Sequence, residues 1–225
     1  MSKILITGSS SGLGLAMAEA LFSSGHEIFQ FDHEFEDDVR NPGRGGAPPK
    51  GLDVLINCAG VNVTGWLENF TELQWDHVMD VNAKGIFQMT QWALPQLVAT
   101  KGTILNIVSN ASHMPMTCSA AYNASKGAAH ILTLQLAREL TKKYGITVFG
   151  ISPNKLAGTK MSLAIERQVV EQRGWTPEFA ADYQRKALLC GEETDPAELA
   201  DLVAYLLQSK ARHKFLTGTV IPYGA

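Results

Sequence analysis

Residues 3–25, KILITGSSSGLGLAMAEALFSSG, constrain the fold more than any other stretch of the chain. KILIT is a short apolar run that stops at a glycine, and after the turn apolar side chains recur at helical spacing until a second glycine ends them. This reads as strand, tight turn, helix. EIFQFD then reads as a second strand, LDVLINCAG as a third, GTILNIVS as a fourth and GITVFGIS as a fifth, with helical patterns over 71–99 and 120–143 between the later ones. Strands alternating with helices make parallel βαβ units, so the expected fold is α/β, a doubly wound parallel sheet in three α/β/α layers. The interval 33–51 is short, and its NPGRGGAPPKG patch is too rich in Pro and Gly for a regular helix, so the fold is expected to be shortened between the second and fourth strands.

At 225 residues and 45% hydrophobic, the chain can bury one sizeable core, and a single domain over 1–225 is expected. The net charge of −3 argues against nucleic acid and anionic membranes as partners. No apolar run is long enough for a bilayer, and MSKILITGSS carries no leader pattern, so a cytoplasmic location is expected. Cys58, Cys118 and Cys190 are widely spaced with no nearby His cluster, so they are expected as small buried thiols and no metal is expected.

The turn after the first strand, TGSSSGLG, carries Gly8, Gly12 and Gly14. Glycines at these spacings let the backbone turn sharply and approach a pyrophosphate, which then lies at the positive N-terminal end of the following helix. Asp32 ends the second strand 18 residues after Gly14, near the spacing at which a carboxylate meets the adenosine ribose. An anion there accepts from the 2′-hydroxyl and repels a 2′-phosphate, so NAD is the expected cofactor.

These residues resemble the short-chain dehydrogenases/reductases. The resemblance runs in order along nearly the whole chain, through TGSSSGLG (7–14), NCAG (57–60), VNAKG (81–85), IVS (107–109), YNASK (122–126) and SPNKLAGT (152–159). It implies a Rossmann fold with cofactor contacts from Gly8, Ser10, Ser11, Gly12, Leu13 and Gly14, from Asp32, from Asp38 and Val39 beside the adenine, from Asn57, Ala59 and Gly60, and from Pro153, Leu156 and Thr159. It also implies a catalytic set of Asn82, Ser109, Tyr122 and Lys126, with Tyr122 and Lys126 touching the cofactor as well.

Tyr122 and Lys126 stand four apart, so they meet on one helix face. Hydride transfer between a nicotinamide and a carbonyl carbon needs a proton moved at the substrate oxygen, and a free tyrosine near pKa 10 is a poor base at neutral pH. A neighbouring ammonium is expected to lower that pKa. By resemblance Ser109 orients the substrate oxygen, Lys126 binds the nicotinamide ribose, and Asn82 holds a water in a proton relay. The implied activity is NAD(H)-dependent interconversion of a secondary alcohol and a ketone. The alternatives are an NAD-binding regulatory protein without turnover and an NADP-dependent carbonyl reductase.

Three departures from the family pattern stand out: the short 33–51 interval, where the family fits a helix, a strand and a helix; Asn154 in place of glycine, with Thr159 one residue late; and the tail TGTVIPYGA, without the usual aspartate and paired glycines. An insertion over about 156–193 is expected to cover the substrate. Its Trp175, Phe179 and Tyr183, with Met114 and Met116, are expected to line an apolar pocket. The helical patterns 71–99 and 120–143 are apolar on more than one face, so a homo-oligomer, tetramer or dimer, is expected.

Overall fold

The computed structural model describes residues 1–224. Its strands are β1 (Lys3–Thr7), β2 (Glu27–Phe31), β3 (Val54–Asn57), β4 (Thr103–Ile107), β5 (Thr147–Pro153) and β6 (Val220–Tyr223). They form one parallel sheet in the order β2-β1-β3-β4-β5-β6. The helices are α1 (Gly12–Ser23), α2 (Glu72–Met79), α3 (Gly85–Thr100), α4 (Ala120–Tyr144), α5 (Lys160–Arg173), α6 (Pro177–Ala187), α7 (Pro196–Leu207) and the single turn α8 (Lys210–His213).

Side chains on a strand alternate between faces, and β1 shows the result. Ile4 and Ile6 pack with Met17 and Leu21 of α1 and Leu199 and Val203 of α7, while Leu5 between them packs with Met89 and Leu97 of α3 and Leu136 and Leu140 of α4. Two cores therefore sandwich the sheet, giving the three-layer, doubly wound Rossmann-type arrangement. β3, β4 and β5 are covered on both faces, which is why they read as continuous apolar runs rather than alternating ones. Strand order reverses between β1 and β3, and ligands of such sheets bind outside the strand ends at that crevice.

The structure departs from the sequence reading in three places, at the tail, in the 71–99 pattern and at Cys190. The tail forms β6, paired with β5 from Gly150↔Val220 to Pro153↔Tyr223. Pro222 weakens the strand signal there but is tolerated because β6 is an edge. The 71–99 pattern is two helices joined by a π-helical turn over Asp80–Lys84. The interval after β2 is shortened as expected: it contributes no strand, only single 3-10 turns at His33–Phe35 and Pro42–Gly45, so β2 is the other sheet edge. In place of a helix, coil covers that end of the sheet: Val39 packs on Gly85, and Trp92 packs at a tilt on Phe31 and donates Nε1–H to the Gly46 carbonyl at 3.0 Å. Finally, Cys118 is buried and Cys58 half-buried, but Cys190 is exposed, because it lies past the end of α6. Among the described residues no helix is long and apolar enough to cross a membrane.

His213 anchors the C-terminal end of the core. Its Nδ1 bonds the Leu206 carbonyl and its Nε2 the Thr103 hydroxyl, each at 2.9 Å, and its ring stacks on Phe149. Burial, the largest influence, holds its pKa below the ordinary imidazole value. The unfolded chain therefore binds a proton that the folded chain resists, so this contribution to stability is present above about pH 6.5 and is lost as pH falls below it. Urea unfolding at pH 7.5 and 5.5 should show lower stability at 5.5, with a smaller difference in His213→Gln. An equal pH dependence in that variant would remove His213 as the cause.

Candidate active site

The ends of β1 and β3 are fastened together. The Thr7 hydroxyl accepts the N–H groups of Cys58 and Ala59, each at 3.0 Å, so NCAG is pinned to the glycine turn. Gly8 has φ +69, and a Cβ on it would lie 2.8 Å from Ala59 Cα; a Cβ on Gly14 would lie 2.0 Å from the Gly8 carbonyl oxygen. Only glycine fits either place. Ser11 precedes α1 in extended conformation and makes no side-chain cap, so the first N–H groups of the helix are left for a ligand. Leu13 is buried in the core and contributes backbone only. Gly60 lies beside Asn82 and Lys126: a Cβ on it would stand 3.5 Å from Asn82 Oδ1 and 3.8 Å from Lys126 Nζ.

Asp32 is buried at the end of β2, with its Oδ2 accepting from the Ser10 N–H at 3.1 Å and its Oδ1 from the Glu34 N–H at 3.2 Å. Burial opposes its ionisation, but these hydrogen bonds, the Ser10 hydroxyl and nearby His33 outweigh it, so its pKa lies below the ordinary carboxylate value. His33 Nδ1 is 2.8 Å from Oδ1. Asp38 is occupied by Arg40, which grips both carboxylate oxygens at 2.8 to 3.0 Å. Val39 is buried against Gly85.

The sequence segments VNAKG, IVS and YNASK converge beside this turn. Lys126, buried on α4, sits with its Nζ 5.8 Å from the Tyr122 ring centroid and donates to the Ile107 carbonyl at 3.0 Å. The Ser109 hydroxyl stands at the phenol and accepts from the Ala111 N–H at 3.2 Å. Asn82, in the π-helical turn, donates Nδ2 to the Val61 carbonyl (2.9 Å) and the Ser125 hydroxyl (3.0 Å), and its Oδ1 accepts from the Val61 N–H (2.8 Å). Its side chain is thereby a bracket between Val61, the residue after NCAG, and Ser125 of α4. π-turns interrupt the regular ladder and occur often at functional sites.

One expectation is reversed. Lys126 is expected from the sequence to lower the Tyr122 pKa, but burial, the dominant influence, raises it, with Ser109 pulling the other way. Burial likewise pushes Lys126 down to about 8, so the ammonium is itself desolvated. Cys58 beside them is pushed up to about 12 by burial and is an inert thiol.

Pro153 ends β5 and is buried, and Leu156 bridges to Thr194. Thr159 caps α5 through the Ser162 N–H at 3.1 Å, with its methyl 3.4 Å from where a Gly12 Cβ would stand. The start of α5 therefore overhangs the glycine turn. The lid aromatics do not form the expected pocket wall: Trp175 packs on Phe179 and Tyr183 at 5.0 Å each, and Phe179 and Tyr183 remain half exposed. Met114 and Met116 are also exposed. His113 Nδ1 contacts the Ser112 hydroxyl at 3.1 Å. Two residues that the sequence reading does not single out matter here, Thr7 and Ser125. Thr7 was marked only by opening the glycine motif, and Ser125 only by its place between Tyr122 and Lys126.

The family model described as short chain dehydrogenase matches residues 47–169. The chain belongs to the short-chain dehydrogenase family. A 3-oxoacyl-[acyl-carrier-protein] reductase of Staphylococcus aureus is 34% identical over 76% of this chain and 63% of its own length. Sorbitol-6-phosphate 2-dehydrogenase of Klebsiella pneumoniae is 27% identical, over 96% of this chain and 91% of its own. Among solved structures, an actinorhodin polyketide ketoreductase variant with NADPH superposes with a TM-score of 0.84 at 25% identity, over 99% of this chain and 96% of that one. This short-chain dehydrogenase is thus an oxidoreductase of a family that uses nicotinamide cofactors, and its relatives differ in substrate.

Proposed function

We propose that the chain is an NAD(H)-dependent oxidoreductase that interconverts a secondary alcohol and a ketone, with Tyr122 as proton donor and acceptor. The observation that carries this reading is the desolvated Tyr122–Lys126 pair, with Ser109 at the phenol and Asn82 bracketing the same helix. The cofactor fits the residues present: the turn needs glycine at Gly8 and Gly14, the N–H groups of α1 are uncapped, and Lys126 has two further protons beyond the one given to Ile107.

Gly8, Ser10, Ser11, Gly12, Leu13 and Gly14 would hold the pyrophosphate, Asp32 the adenosine ribose and Lys126 the nicotinamide ribose. Asp38 and Val39 would flank the adenine, Val39 by packing and Asp38 only after yielding part of its bond to Arg40. Asn57, Ala59 and Gly60 would form the floor, and Pro153, Leu156 and Thr159 the nicotinamide side. The cofactor supplies the hydride. Tyr122 gives its proton to the carbonyl oxygen that Ser109 orients, and Lys126 stabilises the phenolate left behind. Because both Nδ2 protons of Asn82 are already given to Val61 and Ser125, its backbone in the π-helical turn would hold the relay water.

NADH fluorescence combined with absorbance at the nicotinamide band, over a panel of alcohols and ketones, tests the reading. Binding without turnover in either direction would move the chain to the regulatory class. An NADP-dependent reductase is the second reading, favoured by His33 against Asp32 and by the relative with NADPH.

We also propose a homo-oligomer, tetramer or dimer, through α3 and α4. Most apolar residues of the two helices are covered within the chain, but Phe87 and Ile131 stay exposed at 48% and 65%. Light scattering during size exclusion should give a multiple of 24.4 kDa. Phe87→Asp with Ile131→Asp should shift it to that mass, and a fully active wild-type monomer would refute the assembly.

A further inference from the structure

The segment between Leu156 and Thr194 leaves the sheet and returns to it, carrying α5 and α6. Its two stems are laced together. The Thr194 N–H bonds the Lys155 carbonyl at 2.9 Å, the Ala157 N–H bonds the Thr194 carbonyl at 2.8 Å, and Asn154 Oδ1 accepts from the Thr194 N–H and hydroxyl. Asn154 Nδ2 also reaches the Gly224 carbonyl at 2.5 Å, tying the stems to the end of β6. The base is therefore fixed, while the helices above it need a separate reason to stay down.

Full apolar burial does not supply that reason: Met161, Ile165, Val169 and Val170 of α5 are only half-buried. The buried residues of α5 and α6 are Ser162 and Ala180, one on each helix. Burying an alanine and a serine gives far less than the several large side chains that seat α1 or α7. What remains is polar. On one side, Thr64 bonds Gln168 at 2.8 Å, and Gln172 donates to the Thr64 carbonyl at 2.9 Å. On the other, a single side chain reaches three elements: Lys155 Nζ contacts Glu166 of α5 at 2.5 Å, Gln184 of α6 at 2.5 Å, and Glu193 of the returning stem at 2.7 Å. Its three protons match three acceptors, and it is 20% exposed, so the pairing is shielded from water more than a surface ion pair is.

We propose that Lys155 is the latch of the lid, a positioning residue that holds both α5 and α6 down over the strand ends. This rests on reading 160–191 as a substrate cover, but the test reads the lid without turnover. Hydrogen exchange followed by mass spectrometry on the full-length protein, with Lys155→Met, should speed amide exchange in peptides from 160–191 at least about tenfold. The sheet peptides and the melting temperature should stay as in the wild type. Lys155→Arg should restore most of the protection, since a guanidinium keeps the charge and the donors. Lys186→Met, which removes an exposed pair with Asp182 on the outside of α6, should leave the lid unchanged. Unchanged lid exchange in Lys155→Met, a rise spread over the sheet as well, or an equal effect from Lys186→Met would each overturn the latch. A dehydrogenase assay that stays silent would count against the proposed reaction and leave these exchange results standing.

Discussion

Tyr122→Phe is expected to lower kcat at least about a hundredfold, the lower end of what a positioned acid or base contributes, with NADH affinity nearly unchanged. The substitution removes the one group proposed to move the proton and keeps the ring that fills the site. The free-protein pKa values add a direction. Burial keeps the phenol protonated through neutral pH, so Tyr122 is set up to donate, and the reaction it favours there is carbonyl reduction. Lys126, pushed down to about 8 by burial, loses its positive charge as pH rises through that value, and with it the charge that stabilises a phenolate. For reduction, kcat/KM should therefore be highest below about pH 8 and decline above it, because kcat/KM reports the free enzyme. Lys126→Ala should weaken NADH binding as well as turnover. Near wild-type turnover in Tyr122→Phe, measured by steady-state absorbance of NADH, would show that another group carries the proton.

Most of the sheet was legible because β1, β3, β4 and β5 are short apolar runs bounded by glycine or turn residues, and their pairing follows from the right-handed βαβ rule. β6 was not, since a four-residue edge strand with a proline carries little signal and owes its place to Gly150 and its neighbours on β5. The departures at Asn154 and at the tail turn out to be one feature: the Asn154 amide donates to the Gly224 carbonyl, so the residue that replaces glycine holds the altered tail. No spacing rule could link positions 70 apart. The site residues were legible as motifs, but their charge states were not. Whether Lys126 lowers the Tyr122 pKa or burial raises it depends on how densely the fold surrounds both, and i,i+4 spacing does not contain that quantity. The lid aromatics fail for a similar reason. Trp175, just before α6, packs on Phe179 and Tyr183 of that helix, so the three aromatics satisfy one another and their composition alone did not specify a pocket.

Cofactor choice turns on Asp32, and the expected result is NAD over NADP by at least about tenfold in Kd. Two unit charges about 5 Å apart at an effective dielectric near 20 repel by about 3 kcal/mol, which corresponds to roughly a hundredfold. Asp32 is ionised at neutral pH, because its backbone hydrogen bonds outweigh the burial that opposes its charge. A 2′-phosphate beside it would meet a carboxylate that cannot take up a proton cheaply to relieve the repulsion. His33 Nδ1 stands 2.8 Å from Asp32 Oδ1 and is among the influences that hold the carboxyl ionised. Asp32→Ala with His33→Arg should replace repulsion by a fixed cation and turn the preference toward NADP. Fluorescence titrations of both proteins with NADH and NADPH read the two preferences. Wild-type protein that binds NADPH more tightly than NADH would show that the carboxylate is committed to Ser10 and Glu34 and does not face the ribose.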